Sequence, residues 1–165
     1  MVPDRSGFEV FYLGNVQRVT RACVLMLLDQ EEAEDVASEA FARLWSHWGQ
    51  VRNEDHAGGY VFKTAMRLCS KRRRRGQREV VGEVPERPAR SAEIEDQRAV
   101  VAALSELPLR QRQSVVLRDW AGFETEEVAR MMGAKASTVR VHLARGRAAL
   151  RERLTIEERN DERRS

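Results

Sequence analysis

Residues 31–48 carry the strongest helical pattern in the chain. Apolar side chains recur every three or four positions, namely Ala33, Val36, Ala37, Ala40, Phe41, Leu44, Trp45 and Trp48. This spacing places them on one face of an α-helix, which must pack against other elements. The opposite face is polar and carries Glu34, Asp35, Ser38, Glu39, Arg43 and His47. A solvated face and an interaction surface are both consistent with that pattern, and the periodicity alone does not choose between them.

Further helical patterns and no strand pattern predict an all-α protein. We predict helices over 8–28, 60–75, 94–107 and 109–120, the last two with Val100, Val101, Leu104, Leu107, Val115, Val116, Leu117 and Trp120 facing inward. Residues 76–91 contain two glycines, two prolines and few large apolar residues, which is typical of a flexible linker. The sequence therefore predicts two small helical domains, 1–75 and 93–154, joined by a linker over 76–92. A short, charged, frayed tail is predicted over 155–165.

Residues 125–153 have the outline of a helix-turn-helix. Thr125 is predicted to cap a first helix, Gly133 to end it in a left-handed conformation, and Ala136 or Ser137 to begin a second helix. Inward positions of the second helix are Val139, Leu143 and Leu150, and its other face is basic, with Arg140, His142, Arg145, Arg147 and Arg151. Small residues between the arginines, Ala144, Gly146 and Ala148, are expected to let the backbone approach phosphates closely. Such a second helix enters the major groove of DNA, whereas the alternative is an ordinary helical hairpin with a solvated basic face.

Charge is segregated along the chain, although the net charge is only +3. Acidic residues cluster in 31–39 and 83–96, and basic residues cluster in 71–78 and in the last helix. This segregation indicates two partners, one for the acidic face and a nucleic acid for the basic faces. The basic run 71–75 follows an aromatic-bearing helix, so it is either a solvated run or a phosphate contact.

Several classes of protein are not favoured by the sequence. No run of 18 apolar residues predicts a transmembrane helix, and no basic-then-apolar leader is seen, so we expect a cytoplasmic protein without membrane insertion. Cys23 and Cys69 are interpreted as two buried thiols in a reducing compartment. The three histidines share no ligand spacing with the cysteines, so we expect no metal site, and we find no cofactor motif or catalytic constellation.

Three segments, in order, carry a resemblance to a known family. They read AEDVASEAFARLW at 33–45, LSELPLRQR at 104–112, and EVA at 127–129 followed by STVRVHLARGR at 137–147. The chain resembles an extracytoplasmic-function (group 4) sigma factor of bacterial RNA polymerase, and its basic linker and GGYVFK segment are similar to the actinobacterial, SigE-like branch. The match covers nearly the whole chain.

The resemblance implies a non-enzymatic transcription initiation factor with two domains, sigma-2 and sigma-4. Sigma-2 would bind core RNA polymerase at the β′ clamp and melt the −10 promoter region, holding the exposed single strand. Sigma-4 would bind the β flap and read the −35 element as duplex DNA. An anti-sigma factor is a further candidate partner.

The resemblance also implies particular site residues. The polymerase-binding candidates are Asp35, Ser38, Glu39 and Arg43. The −10 candidates are Tyr60, Lys63, Arg67, Ser70, Lys71, Arg72 and Arg73. In the −35 set, Arg140, Val141, His142, Ala144 and Arg145 are base-edge or groove candidates, whereas Lys135, Thr138 and Arg147 are expected to contact phosphates. The family usually has Gln at Ser38, so the shorter serine is expected to lose part of the polymerase contact. It often has Asn at Arg67, so the −10 preference is expected to differ from the commonest one.

Two other functions remain as alternatives. A stand-alone helix-turn-helix regulator would bind duplex DNA without polymerase, and such proteins usually dimerise on paired half-sites. An enzyme using the carboxylates of 31–39 as acid and base is the weaker alternative, because helical spacing accounts for that segment without catalysis.

Overall fold

The computed structural model of the chain describes residues 4–51, 53–79 and 98–164. Within these ranges all regular structure is helical, which confirms the predicted all-α class. The chain divides into two compact units, residues 1–87 and 88–165. The part of the predicted linker after residue 79, together with Ile94, lies outside the described residues.

Unit 1 is a three-helix bundle whose helix ends are set by short polar side chains. Helix α1 spans Arg5–Leu27, α2 spans Gln30–His47, a 3₁₀ turn spans Trp48–Gln50, and α3 spans Glu54–Glu79. The Asp29 carboxylate caps α2 by accepting from Glu32 N–H at 3.0 Å. Leu28 ends α1 in the left-handed conformation, with φ of 58°. These caps make the tight turn between α1 and α2, in the gap between the predicted helix over 8–28 and the helical pattern of 31–48.

The apolar stripe of α2 packs as its spacing predicted. Ala33, Val36, Ala40 and Leu44 are fully buried. Phe8 of α1 packs edge-on against Trp45 of α2, with ring centroids 4.9 Å apart. The polar face of α2 is therefore left pointing out of the bundle.

The two cysteines are buried together between α1 and α3. Both are free thiols, as predicted. A hydrogen bond with Cys23, together with burial, raises the pKa of the Cys69 thiol well above its ordinary value. Cys69 therefore stays protonated and behaves as a small apolar residue.

Unit 2 contains the predicted helix-turn-helix and two shorter helices. Helix α4 spans Arg98–Ser105, and α5 spans Leu109–Val115 and continues into a π-helical turn, Val116–Trp120. Helix α6 spans Thr125–Met132 and α7 spans Ala136–Arg164. The predicted stop at Gly133 is confirmed, since this residue has φ of 61°. Helix α7 continues to Arg164, within the segment expected to be a frayed tail.

Four details of unit 2 differ from the sequence predictions. Thr125 lies within α6, and the cap is Glu124, whose N–H donates to the Glu127 carboxylate at 2.9 Å. Val100 and Trp120, expected to face inward, are 39% and 44% exposed. The π-helical turn widens the helix before Trp120, which shifts that side chain off the inward face.

Gly146 is the fourth difference. It was expected to let DNA approach the backbone, but it is buried against α5. A Cβ at Gly146 would lie 3.0 Å from Val115 Cγ2 and 3.5 Å from Gln111 Cβ. The glycine is therefore required for close packing of α7 on α5.

Candidate functional site

The exposed face of α2 brings the four predicted polymerase-binding residues together. Asp35, Ser38, Glu39 and Arg43 follow one another at intervals of three or four residues, and all lie on the side opposite the buried stripe. Glu39 accepts a hydrogen bond from Arg43 Nη2 at 2.6 Å. The Asp35 side chain is 69% exposed. The face thus offers carboxylates and one guanidinium to a partner.

Arg72 of α3, predicted as a −10 residue, also extends this face of α2. Its Nη1 lies 3.0 Å from Glu32 Oε2 and 3.7 Å from Asp35 Oδ2. The hydrogen bond with Glu32 raises the pKa of Arg72. Because the two partners are 40 residues apart, only packing of α3 on α2 brings them together.

The predicted −10 residues of α3 divide into an outer set and an inner set. Arg67 and Lys71 are exposed, and Tyr60 and Lys63 are half-buried. Ser70 is buried, and its hydroxyl donates to Met66 O at 2.9 Å. Arg73 is half-buried, donates from Nη1 to Met26 O at 3.2 Å, and has a pKa lowered by desolvation. Ser70 and Arg73 therefore point into unit 1, away from the exposed set.

His47, which is not among the predicted site residues, is a neighbour of Tyr60. The Tyr60 hydroxyl lies 3.2 Å from His47 Nδ1, and the two ring centroids are 5.5 Å apart. The same nitrogen lies 2.9 Å from Arg43 O, at the end of the α2 polar face. The polar face of α2 therefore contacts α3 at Tyr60, the first of the predicted −10 residues.

Helix α7 presents a narrow outward face. Val139, Leu143 and Gly146 are buried, so at 3.6 residues per turn the opposite side carries Val141, Ala144 and Arg145. Val141 is 46% exposed. Arg145 makes no hydrogen bond or ion pair with any residue that the structure describes. This face combines a free guanidinium with small and apolar side chains, which suits contact with base edges.

Two other α7 arginines lie at the flank of this face and are held by acids. Arg140 Nη2 lies 3.0 Å from Glu126 Oε1. Arg147 donates from Nε and Nη2 to both carboxylate oxygens of Asp119, at 2.9 and 2.6 Å. The hydrogen bonds with Asp119 raise the pKa of Arg147. Asp119 and Glu126 were missed because nothing in the local sequence links them to α7.

The remaining −35 candidates lie near the start of α7 or beside its outward face. Lys135 and Thr138 are exposed, and Lys135 O accepts from Val139 N–H at 3.1 Å. His142 is half-buried, and its Nδ1 has no hydrogen-bond partner in the part of the chain that the structure describes. The N-terminal part of α7 is thus open to solvent, as groove entry requires.

Two general features bear on the class of protein. Within the described ranges, no group of three or more His, Cys, Asp or Glu residues is placed to hold a metal ion. No described helix is both long enough and apolar enough to cross a membrane.

Each of the two units matches the model of a known protein family. The family model described as Sigma-70 region 2 matches residues 11–79, and the one described as Sigma-70, region 4 matches residues 97–150. An RNA polymerase sigma-E factor of Streptomyces antibioticus is 32% identical over 133 residues, which cover 76% of this chain and 72% of that protein. The ECF RNA polymerase sigma factor SigM of Mycobacterium tuberculosis is 28% identical over 150 residues, covering 89% and 76% of the two chains.

Solved structures support the fold. The sigma factor RpoE of Bartonella quintana, in complex with the anti-sigma factor NepR, matches with a TM-score of 0.76 at 20% identity, over 91% of this chain and 98% of that one. CnrH in complex with the cytosolic domain of CnrY matches with a TM-score of 0.71 at 19% identity, over 93% and 90%.

Proposed function

The chain belongs to the sigma-70 family and is a sigma factor that directs transcription initiation; from this premise we propose how its two units divide that work. Unit 1 binds core RNA polymerase and opens the −10 region, and unit 2 reads the −35 element. The protein acts in the cytoplasm and has no catalytic activity of its own, because RNA synthesis belongs to the core enzyme. A stand-alone regulator is not favoured, because the region 2 match covers most of unit 1, which such a protein does not need.

We propose that the polar face of α2 is the polymerase-binding surface. Asp35, Ser38, Glu39 and Arg43 would contact the β′ clamp, and unit 2 would contact the β flap. Exposure of these side chains and their alignment on one face support this assignment. Glu32 joins the surface through its ion pair with Arg72.

We propose that α3 holds the melted strand of the −10 region. Tyr60 supplies an aromatic surface on which an unstacked base can lie, and Lys63, Arg67 and Lys71 supply cations for the phosphates. Ser70 is left out of this set because it is buried. Arg72 and Arg73 contribute mainly to holding unit 1 together, since both have partners within it.

The outward face of α7 is the single observation on which the −35 assignment rests. We propose that Arg145, with Val141 and Ala144 beside it, contacts base edges in the major groove, with Arg140 and His142 at its sides. Lys135, Thr138 and Arg147 contact phosphates. An anti-sigma factor is a further proposed partner, because the RpoE structure of similar fold was determined with one bound.

A pair of complementary variants tests this division. Asp35→Ala with Glu39→Ala is expected to weaken binding to core polymerase roughly tenfold, while binding of unit 2 to promoter duplex stays the same. Arg145→Ala is expected to do the reverse, with a loss of roughly ten- to hundredfold in promoter affinity and unchanged core affinity. Fluorescence titration with core polymerase and with promoter duplex measures both. Equal losses for both ligands in either variant would contradict the division.

A third variant separates a sigma factor from a duplex-binding regulator. Ser38→Gln lengthens a side chain at the centre of the α2 face and is expected to strengthen core binding if that face docks as it does in the family. A chain that binds duplex DNA but no core polymerase, with or without this substitution, would contradict the proposed function.

A further inference from the structure

Asp119 holds the guanidinium of Arg147 at the flank of α7. Its Oδ2 accepts from Arg147 Nε at 2.9 Å, and its Oδ1 accepts from Arg147 Nη2 at 2.6 Å. Both side chains stay accessible, at 45% exposed for Arg147 and 38% for Asp119. Neither the sequence pattern nor the family match gives Asp119 a role.

Both ends of this contact are attached to well-fixed backbone. Asp119 lies in the π-helical turn, which is anchored by buried Val116 and Leu117. The turn is closed by Ala121 N–H donating to Val116 O at 2.9 Å. Arg147 follows Gly146, the residue at which α7 packs closely on Val115. The carboxylate and the guanidinium are thus brought together by the helix packing of unit 2 rather than by two flexible loops.

The geometry leaves part of the guanidinium available for a ligand. A guanidinium has five N–H donors in a planar fork, and Asp119 uses one on Nε and one on Nη2. The second N–H of Nη2 and one N–H of Nη1 point the same way and form another fork, at the end of the guanidinium next to the edge that Asp119 occupies. Such a fork donates bidentately to two oxygens of one phosphate. Asp119 therefore fixes the direction of the free fork without occupying it.

The place of Arg147 on α7 points to the DNA backbone as the ligand. Recognition helices contact base edges with their N-terminal residues, whereas Arg147 lies on the third turn after Ala136. It is also on the flank of the helix, between the buried side and the outward face that carries Arg145. Residues at such positions typically contact phosphates, which fix the register of the protein on the duplex.

We propose that Asp119 is a positioning residue that orients Arg147 for a bidentate contact with a phosphate of promoter duplex DNA. This inference rests on the proposed function, because it requires α7 to lie in the major groove. Asp119 would thus strengthen DNA binding, although its negative charge alone would repel the phosphates.

The test compares binding of promoter duplex by the holoenzyme, assembled from core polymerase and the full chain, across a range of salt concentrations. The duplex is one that the wild-type holoenzyme selects from a randomised pool. Asp119→Ala is expected to weaken binding roughly two- to fivefold, the range of an exposed ion pair, even though it removes a negative charge. It is also expected to reduce the slope of log affinity against log salt by about 0.9, which is the loss of one phosphate contact.

Two further variants establish that Asp119 acts through Arg147. Arg147→Ala is expected to give the same reduction of the salt slope and at least the same loss of affinity. Adding Asp119→Ala to Arg147→Ala is expected to cause no further loss, because the group being oriented is already gone. Asp119→Asn keeps one acceptor oxygen and is expected to fall between Asp119→Ala and wild type, and it replaces Asp119→Ala if that variant unfolds.

Glu152→Ala is the matched charge control. Glu152 is exposed on α7 and has no ion pair in the part of the chain that the structure describes, so its removal changes the net charge equally without freeing an arginine. It is expected to strengthen DNA binding slightly and to leave the salt slope unchanged.

Two results would overturn the proposal. The first is stronger binding by Asp119→Ala, as in Glu152→Ala, which would make Asp119 a competitor of the phosphate. The second is lower thermal stability with an unchanged salt slope, which would make the contact purely structural. Failure of the proposed function can be told apart from failure of the Asp119 proposal. If unit 2 does not read the −35 element through α7, Arg145→Ala would also leave promoter binding unchanged.

Discussion

The basic residues at the end of α3 and those of unit 2 look alike in sequence, but their structural and exposed members are distributed differently. In α3, one contiguous run supplies an ion pair through Arg72, a helix-end contact through Arg73, and exposed cations through Lys71 and Arg74. In unit 2 these uses are spread over two helices. Arginines of α5 close the ends of other helices, and arginines of α7 either face outward or pair with acids.

The difference shows that a basic run cannot be interpreted as a ligand surface by its charge alone. Arg112 of α5 donates from Nη2 to Ser105 O at 2.6 Å, at the end of α4. Arg110 donates from Nη1 to Met132 O at 2.8 Å, at the end of α6. A cation at a helix C-terminus satisfies carbonyls that have no partner in the helix and interacts favourably with the helix dipole. Unit 2 therefore places its structural arginines and the arginines proposed to face DNA on different helices, whereas α3 carries both kinds as neighbouring residues.

The strongest test of this separation is Arg112→Ala. Arg112 is only 1% exposed, so the substitution removes a charge-assisted hydrogen bond and leaves a cavity. We expect it to lower the free energy of unfolding of unit 2 by about 3 kcal/mol. Arg110 is exposed, so Arg110→Ala is expected to cost about 1 kcal/mol. Hydrogen exchange of the amides in α4 to α7 measures unit 2 separately. Equal effects of the two variants would mean that burial of Arg112 adds nothing to its helix-end contact.

The fold was predictable from sequence wherever an apolar period was long. The α2 stripe and the helix-turn-helix with its stop at Gly133 are confirmed because each is fixed by local spacing or by one backbone conformation. Trp120 was misplaced because a π-helical turn changes the period within α5, and no residue type marks such a turn. Gly146 was misinterpreted for a related reason: a glycine between arginines suits either DNA or a neighbouring helix, and only packing decides.

A second comparison of variants divides the α3 run between its structural and exposed members. Arg73→Ala removes the contact with Met26 O and is expected to destabilise unit 1 by about 1 kcal/mol. Arg74→Ala, one residue along and exposed, is expected to change stability by less than about 0.5 kcal/mol. Chemical denaturation of the full chain, with Trp120→Phe introduced so that fluorescence comes from Trp45 and Trp48 of unit 1, measures this difference. If Arg74→Ala destabilised unit 1 as much as Arg73→Ala, the division within the run would be wrong.

The candidate sites were predictable only in outline. Helical spacing placed Asp35, Ser38, Glu39 and Arg43 on one exposed face, and it placed Arg145 outward on α7. The acidic partners Glu32, Asp119 and Glu126 could not be found, since each meets its arginine through tertiary packing across 14 to 40 residues. Burial of Ser70 was equally invisible, because a serine that donates to its own helix looks the same in sequence as one that faces a ligand.

The smallest expected effect concerns Arg72, where the two surfaces of unit 1 meet. Arg72→Gln removes an ion pair whose side chains are 29% and 49% exposed, so we expect stability to fall by only about 0.5 kcal/mol. Because Arg72 is held by Glu32 and Asp35, we expect its loss to leave the salt dependence of promoter binding unchanged and to alter core affinity by about two- to threefold. Lys71→Gln is the matched control and is expected to reduce the salt slope by about 0.7, the value for one single-strand phosphate contact. An equal reduction in both variants would mean that Arg72 leaves its ion pairs with Glu32 and Asp35 to contact DNA. The basic residues of α3 would then all serve as phosphate contacts, and the division into ion pair, helix-end contact and exposed cation would be wrong.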